Sequence, residues 1–286
     1  MKLCYGHNSH PGRRRTSNED KLLVVPEENL FAVADGMGGH AAGELASTLC
    51  VDALREWYDL TRGLEPSAWP LPPAAVDDPL SHRLVIGIRR GHERILETMK
   101  KHPQLRGMGT TVVASWFVAD RVLIAHVGDS RCYRLRGGRI EQLTRDHSLV
   151  NALRDRFELN QEQEARARDM SHILVRALGV EDDAYADVDL LVLAPEPHDT
   201  FLLCSDGLTD EVRDLELLSI LGQEDAPGRA AARLIRRANE RGGRDNISAI
   251  VVEYCGVSEG EGPYLDEETV DMTNDWFQEP DDAAGA

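Results

Sequence analysis

Three short runs rich in Val, Ile and Thr, separated by only three or four residues, restrict the fold of this chain more than any other feature. They span Thr110–Val118, Val122–Val127 and Cys132–Leu135, and a fourth run, Ile140–Leu143, follows after four more residues. Each run has the composition and length of a β-strand. Because a parallel crossover needs a dozen residues or more, strands joined this closely run antiparallel. The sequence therefore predicts an antiparallel meander in this region.

Four aspartates stand at the ends of predicted strands, in turns with Gly, Ser or Asn neighbours. Asp35, Asp129 and Asp206 each follow an apolar strand, whereas Asp245 comes shortly before the last strand, Ile247–Glu253. A residue at the end of a strand stands at the rim of a sheet, where a rigid element can aim its side chain at a ligand. Unpaired carboxylates gathered at a rim repel one another unless cations or arginines join them. The pattern therefore predicts a cation site.

The chemistry of that predicted site follows from its donor atoms. No cluster of His and Cys is visible in the sequence, so the expected ligands are all oxygens, which suit Mg²⁺ or Mn²⁺ and disfavour zinc. Gly36 directly follows Asp35, and it lets the backbone approach closely enough for its carbonyl to serve as a further ligand. Two such ions would hold a bridging water, lower its pKa and clamp a phosphoryl group, which Arg15 could contact through two hydrogen bonds. The residues alone indicate metal-dependent phosphoester hydrolysis.

Composition and charge argue against several classes of partner. The chain has 286 residues and a formal net charge of −18, which disfavours binding to nucleic acid or to an anionic membrane. Ten acidic residues and no Lys or Arg lie between Gly256 and Ala286. The five cysteines are scattered, mostly in apolar runs, which indicates free thiols in a reducing compartment. Without a signal peptide or an apolar run of about 18 residues, we expect a cytoplasmic protein.

Eight short motifs occur in order between about Gly12 and Glu253. They are Arg15 with Asn18-Glu19-Asp20, Asp35-Gly36-Met37-Gly38-Gly39-His40, Gly109-Thr110-Thr111, Gly128-Asp129-Ser130-Arg131, Leu143-Thr144-Arg145-Asp146-His147-Ser148, Arg176-Ala177-Leu178-Gly179, Ser205-Asp206-Gly207-Leu208 and Asp245-Asn246. None is specific alone, but the ordered series resembles the PPM family, the metal-dependent serine/threonine protein phosphatases of type 2C, here of bacterial character.

The resemblance implies an α+β fold. Two antiparallel β-sheets would pack as a sandwich with antiparallel helix pairs on the outer faces, in the four-layer order α/β/β/α. The phosphatase domain would span residues 1–255 and include a flap at about 149–172 beside the active site. A Pro-rich insertion at about 59–79 and the acidic tail at 256–286, which we expect to be disordered, lie outside the family's motifs.

The resemblance also implies the ligands of two tightly bound Mn²⁺ or Mg²⁺ ions and of a weaker third ion. These ligands are Glu19, Asp20, Asp35, Gly36, Asp129, Asp206 and Asp245. Asp35 would bridge the two tight ions, and Asp206 and Asp245 would complete the first. The Gly36 carbonyl and Glu19 would serve the second, and Asp20 would act through bound waters. Asp129, with Asp206, would match the third site.

The implied function is hydrolysis of phosphoserine and phosphothreonine in proteins through a metal-bridged water, opposing a bacterial Ser/Thr kinase. Arg15 and Asp35 are the candidate catalytic residues, together with His40, five positions beyond Asp35, as the general acid. We expect a monomer that binds neither nucleic acid nor membrane. Two alternatives are a catalytically weak scaffold of the same fold, which the full carboxylate set disfavours, and a metal-dependent nuclease, which the net charge disfavours.

Four further residues are expected to act structurally. His126 lies within a predicted strand and should pack in the core, and His147 should form hydrogen bonds in a turn. Arg131 and Arg176 should form ion pairs.

Overall fold

Twelve strands form two sheets in the computed structural model, which describes residues 1–39, 41–70, 78–168, 170, 172–180, 187–256 and 265–267. In chain order the strands are β1 (Lys2–His10), β2 (Asp20–Val25), β3 (Leu30–Met37), β4 (Gly109–Thr110), β5 (Val112–Val118), β6 (Arg121–Val127), β7 (Arg131–Arg136), β8 (Arg139–Gln142), β9 (Asp189–Leu193), β10 (Asp199–Cys204), β11 (Ile247–Gly256) and β12 (Leu265–Glu267). The first sheet has the order β12-β1-β11-β10-β7-β8. The second has the order β2-β3-β5-β6-β9, with β4 paired to β3. All pairs are antiparallel except β1 with β12.

The helices are α1 (Ala41–Thr61), α2 (Pro79–Lys101), α3 (Leu149–Arg156), α4 (Gln161–Arg168), α5 (Asp206–Thr209), α6 (Asp214–Gln223) and α7 (Pro227–Arg241). Helices α1 and α2 cover the outer face of the second sheet, and α5, α6 and α7 cover that of the first, while α3 and α4 pack against each other. Helix α2 begins where the Asp78 side chain accepts a hydrogen bond from the Ser81 backbone and where Pro79 occupies the first turn, both common N-terminal signals. In the described part of the chain, no helix is long and apolar enough to cross a membrane.

Three apolar layers hold the sheets and helices together. Alternate residues of β3 serve two of them, since Phe31 and Val33 face the other sheet while Ala32 and Ala34 pack under α1 and α2. Between the sheets, the Phe117 ring lies 5.3 Å from that of Phe201 on the opposite sheet, in an edge-to-face contact. A third apolar cluster joins the first sheet to α5, α6 and α7. The predicted four-layer α+β fold is confirmed.

The predicted meander is wrong at one connection. Strands β5 and β6 pair in the second sheet, but β7 pairs with β8 and β10 in the first. The turn between β6 and β7 therefore crosses from one sheet to the other. Gly128 makes the crossing possible, because its φ of +107° lies in the region that favours glycine. A short loop implies antiparallel pairing only when the two strands it joins lie in the same sheet. Because the chain crosses between the sheets here, Asp129 lies at the mouth of the gap between them.

Two other regions differ from the sequence-based expectation or lie partly outside the description. Strand β1 was not predicted, although Leu3 and Tyr5 alternate with less buried residues. In the described part of the Pro-rich insertion, α1 continues to Thr61 and a 3-10 turn spans Pro66–Ala68, and α2 begins at Pro79; residues 71–77 are not described. Of the acidic tail, only β12 falls within the described residues beyond Gly256.

Candidate metal centre

A cavity of about 320 Å³ opens where the ends of β3, β6, β10 and β11 meet. Seven of the nine predicted site residues line it: Arg15, Glu19, Asp35, Gly36, Asp129, Asp206 and Asp245. Asp20 lies behind this wall and is only 3% exposed. His40, the ninth, lies outside the described residues.

Strands β2 and β3 place Asp20 directly opposite Asp35. The backbone of Asp35 is fixed by Thr111, whose N–H donates to the Asp35 carbonyl at 2.8 Å and whose Oγ1 accepts from the Asp35 N–H at 3.2 Å. Asp20 Oδ2 accepts a hydrogen bond of 2.8 Å from Ser205 Oγ, one residue before Asp206. Asp20 therefore ties the second sheet to the first at the base of the cavity.

Gly36 sits where the backbone of β3 touches the start of α1. A Cβ atom at Gly36 would lie 2.1 Å from the carbonyl oxygen of Gly43, so only glycine fits this close approach. The Gly36 N–H donates to the Glu19 carbonyl at 3.3 Å, and the Ser47 hydroxyl donates to the same carbonyl at 2.5 Å. This packing holds the Glu19 and Gly36 segments side by side at the cavity wall.

The opposite wall is organised by Asn246. Its N–H donates to Asp245 Oδ1 at 2.8 Å, and its Oδ1 accepts from the Glu19 N–H at 2.8 Å. Arg15 Nη2 lies 2.7 Å from Asp245 Oδ2 in a half-exposed ion pair. Asn246 therefore links two carboxylate segments, while Arg15 neutralises one carboxylate from the solvent side.

The remaining carboxylates repel one another. Burial and the neighbouring Asp20, Asp206 and Asp129 raise the pKa of Asp35 well above its ordinary value. Burial and nearby carboxylates act in the same direction on Asp206. Burial is also the main cause that raises the pKa of Asp20, and that of Asp129, to about 6. Protonation or a bound cation relieves such repulsion.

Two carboxylate oxygens show where a cation would fit. Asp20 Oδ1 and Asp206 Oδ1 are buried and have no hydrogen-bond partner within the described structure. Buried polar atoms are almost always satisfied in proteins, so such exceptions indicate a missing partner. The donor set is all oxygen, which fits Mg²⁺ or Mn²⁺.

The structure also assembles a cluster that the sequence did not reveal. Ligand atoms of His126, His147 and Asp189 lie within 4.8 Å of one another, contrary to the expectation that no histidine cluster exists. Three of the four histidine ring nitrogens are engaged, however. Gly128 N–H donates to His147 Nδ1 at 3.1 Å, so His147 Nε2–H donates to Asp189 Oδ2 at 3.2 Å. Arg176 pairs with Asp189 at 2.7 Å, and this positive charge disfavours a second cation.

The residues expected to act structurally do so. His126 is buried and its Nε2 bonds the Arg145 carbonyl at 2.9 Å. Arg131 makes two hydrogen bonds to Asp146, of 2.8 and 2.7 Å. Burial, His126 and Arg176 lower the pKa of His147 to about 4, so His147 is neutral and holds the Gly128–Asp129 turn through its hydrogen bond.

Several cavity residues were missed in the sequence. His172 and Leu174 reach the cavity from the segment after α4, and Thr111 and Met37 line it from the second sheet. Thr111 lies in the motif Gly109-Thr110-Thr111, but its hydrogen bonds to Asp35 depend on the pairing of segments that are distant in the sequence. The only sequence signal for His172 was its place at the end of the predicted flap.

The fold and this carboxylate cavity define a protein with an all-oxygen site suited to divalent cations. The family described as protein phosphatase 2C matches residues 9–248. The serine/threonine phosphatase stp of Listeria welshimeri is 38% identical over 249 residues, which cover 85% of this chain and 92% of that protein. The serine/threonine protein phosphatase PstP of Mycobacterium tuberculosis is 34% identical over 285 residues, and this chain spans only 51% of its length. The crystal structure of the PstP catalytic domain with two manganese ions matches with a TM-score of 0.73 at 36% identity, over 88% of this chain and 97% of that one.

The chain therefore belongs to the protein phosphatase 2C family, whose members are metal-dependent serine/threonine phosphatases that act on phosphoproteins. This confirms the family, the class of enzyme and the class of cofactor that the sequence predicted. The roles of individual site residues stay predictions.

Proposed function

We propose that this protein hydrolyses phosphoserine and phosphothreonine in protein substrates at a centre of two Mn²⁺ or Mg²⁺ ions in the carboxylate cavity. One observation carries the proposal: Asp35 and Asp206 are both buried among further carboxylates, which together with burial raise the pKa of each, and Asp206 keeps a buried oxygen without a partner among the described residues. Such an arrangement is stable in the ionised state only with cations between the carboxylates.

The family resemblance and the cavity support the same assignment of ligands. Asp35 would bridge the ions, Asp206 and Asp245 would complete the first, and Glu19 with the Gly36 carbonyl would serve the second. Asp20 would act through waters from behind the cavity wall, and Asp129 with Asp206 would hold a weaker third ion. When bound, the ions supply an activated water and neutralise the charge of the phosphoryl group.

The chain's own residues then bind and orient the substrate. Arg15 stands at the cavity mouth, half-exposed and held near Asp245, from where its planar guanidinium can bind two phosphate oxygens. His40 remains the candidate proton donor to the leaving hydroxyl. Thr111 keeps the Asp35 backbone in place, and the Asn246 N–H holds the Asp245 carboxylate, so the site is preorganised by hydrogen bonds rather than by the ligand.

We further propose the setting in which this enzyme works. Its substrates are phosphoproteins, so a serine/threonine kinase of the same cell would supply them. A monomer suffices, since all proposed ligands come from one chain. The free thiols of all five cysteines favour a reducing compartment such as the cytoplasm.

Phosphate release from a phosphothreonine peptide tests the proposal. We expect EDTA to abolish the activity, Mn²⁺ to restore it, and Asp245→Asn to lower kcat by about 100-fold or more, since one charged ligand is lost. Asp120→Asn makes the same chemical change at an exposed side chain between β5 and β6 and should keep wild-type activity. Activity that persists in EDTA, or a fully active Asp245→Asn variant, would contradict the proposal.

A further inference from the structure

The two partly exposed cysteines of the protein meet on adjacent strands of the first sheet. Cys4 lies in β1 and Cys255 in β11, and their Sγ atoms are 3.2 Å apart. The other three cysteines, Cys50, Cys132 and Cys204, are fully buried. Two of the five thiols are therefore partly exposed and adjacent, and the other three are inaccessible to solvent.

This contact lies beside a β-bulge. Leu3 pairs with Tyr254 and Lys2 pairs with Gly256, so Cys255 is the extra residue of β11. Leu3 and Tyr254 belong to the apolar layer between the sheets. Because side chains alternate across a strand, Cys4 and Cys255 lie on the face opposite to Leu3 and Tyr254. Cys4 pairs with Glu253, and Cys255 is the next residue of β11 on that face, so the two thiols meet diagonally across the strand pair.

We propose that Cys4 and Cys255 form an oxidative modification site that closes to an intramolecular disulfide when the protein meets a peroxide. A disulfide needs its sulfurs about 2.05 Å apart and neighbouring backbones, and a small rotation of two side chains on adjacent strands meets this requirement. The proposal does not depend on the phosphatase function.

The two thiols have different parts in the reaction. Burial and the adjacent Cys4 thiol raise the pKa of Cys255 to about 12, so Cys255 keeps its proton and Cys4 reacts first. The Cys4 sulfur attacks one peroxide oxygen, the O–O bond breaks, and the thiol proton leaves with the other oxygen as water. The resulting Cys4 sulfenic acid is attacked by Cys255, whose proton joins the departing hydroxide. One peroxide and two thiols thus yield one disulfide and two waters.

The disulfide would close almost the whole chain into one loop, far from the metal centre. Cys4 lies six residues before His10 at the end of β1, a span of about 20 Å in a strand, and the cavity begins only beyond it at Arg15. Closing so long a loop restricts the unfolded chain, and it ties β1 to β11. Oxidation should therefore change stability and leave phosphatase activity unaltered.

Treatment of the purified full chain with hydrogen peroxide tests the inference. Thiols counted by maleimide under denaturing conditions should fall from the five present by two, with peptide mapping showing Cys4 joined to Cys255. In Cys255→Ser the Cys4 sulfenic acid should become trappable by dimedone, whereas Cys4→Ser should keep its four remaining thiols. The oxidised wild type should melt at a higher temperature than the reduced protein, a shift that each variant loses.

Other results would overturn it. One is a disulfide that joins other cysteines, and another is a disulfide between two molecules, seen on a non-reducing gel. A third is a wild-type protein that keeps all five thiols under peroxide conditions that convert Cys4 of the Cys255→Ser variant to its sulfenic acid. Phosphate release is measured on the same samples, so that disulfide formation and activity are followed independently. Loss of activity without a disulfide would concern the metal centre and the proposed function, not the cysteine pair.

Discussion

Replacing Asp20 by Asn should stabilise the metal-free protein. The Asp20 side chain is buried, its Oδ2 accepts from Ser205, and its Oδ1 has no partner among the described residues. Asn has nearly the same shape and keeps a carbonyl oxygen for Ser205. Its amide can donate to Asp35, which already interacts with Asp20. The substitution removes one buried charge and leaves the packing intact.

The size of the effect follows from the pKa of Asp20, which burial raises from 3.8 to about 6. The pKa of Asp20 is higher in the folded state than in the unfolded state, so protonation of Asp20 favours folding. This contribution to the free energy of unfolding is fully present below pH 3.8 and is lost as the pH rises through 6. A shift of about two units corresponds to about 3 kcal/mol at neutral pH. Asp20→Asn should therefore raise the free energy of unfolding by about 2–3 kcal/mol at about pH 7.5, and by less than about 1 kcal/mol at about pH 4.

Urea unfolding of the EDTA-treated protein at the two pH values measures this difference, with Asp120→Asn as a control of unchanged stability. With excess Mn²⁺ the wild type should be the more stable protein, because it keeps the Asp20 carboxylate and should bind the ion more tightly. A ligand that binds the folded state stabilises it more when it binds more tightly. The reasoning is refuted if Asp20→Asn is no more stable than the wild type at about pH 7.5, or if its advantage is equal at both pH values.

Three further substitutions probe other contacts of the site. Arg15→Ala should raise KM for a phosphopeptide about tenfold or more and change kcat little, since one charge-assisted phosphate contact is lost; an effect on kcat alone would exclude that role. Asp129→Ala should lower kcat about tenfold or more while calorimetry still shows two tightly bound Mn²⁺ ions, and a loss of tight binding would contradict a third site. His147→Ala should lower the free energy of unfolding by about 1–3 kcal/mol, because it leaves the Gly128 N–H without its partner; unchanged urea midpoints would show that the hydrogen bond contributes nothing.

Local features of the sequence were predictable because their causes are local. The alternation in β3 follows from a strand with one face toward each apolar layer, and Phe31 and Ala32 show it in adjacent positions. The turn after Asp35 needs Gly36, because any side chain there would strike the backbone at Gly43. Such patterns depend on a few neighbouring residues, so short motifs carry them.

Pairings between distant segments could not be predicted in the same way. The short turn at Gly128 is compatible with a hairpin or with a crossing between sheets, and the choice depends on which apolar faces β6 and β7 cover. The contact of His147 with Asp189 depends on the same choice, since it brings together residues 42 positions apart. Burial of both sheet faces decides these questions, and no single segment contains that information.

The metal centre itself is visible in the sequence as a conflict between rules of folding. Buried charges in stable proteins are paired, and the Arg136–Asp199 and Arg131–Asp146 ion pairs of this chain, which do not line the cavity, obey the rule. Asp35 and Asp206 break it, although the chain contains 32 Lys and Arg residues that could have been placed beside them. Without a cation, the fold with these two carboxylates is less stable than the same fold would be with two neutral side chains of the same shape. Functional sites are the places where such local and global preferences disagree, so the conflict points to cation binding before any relative is compared.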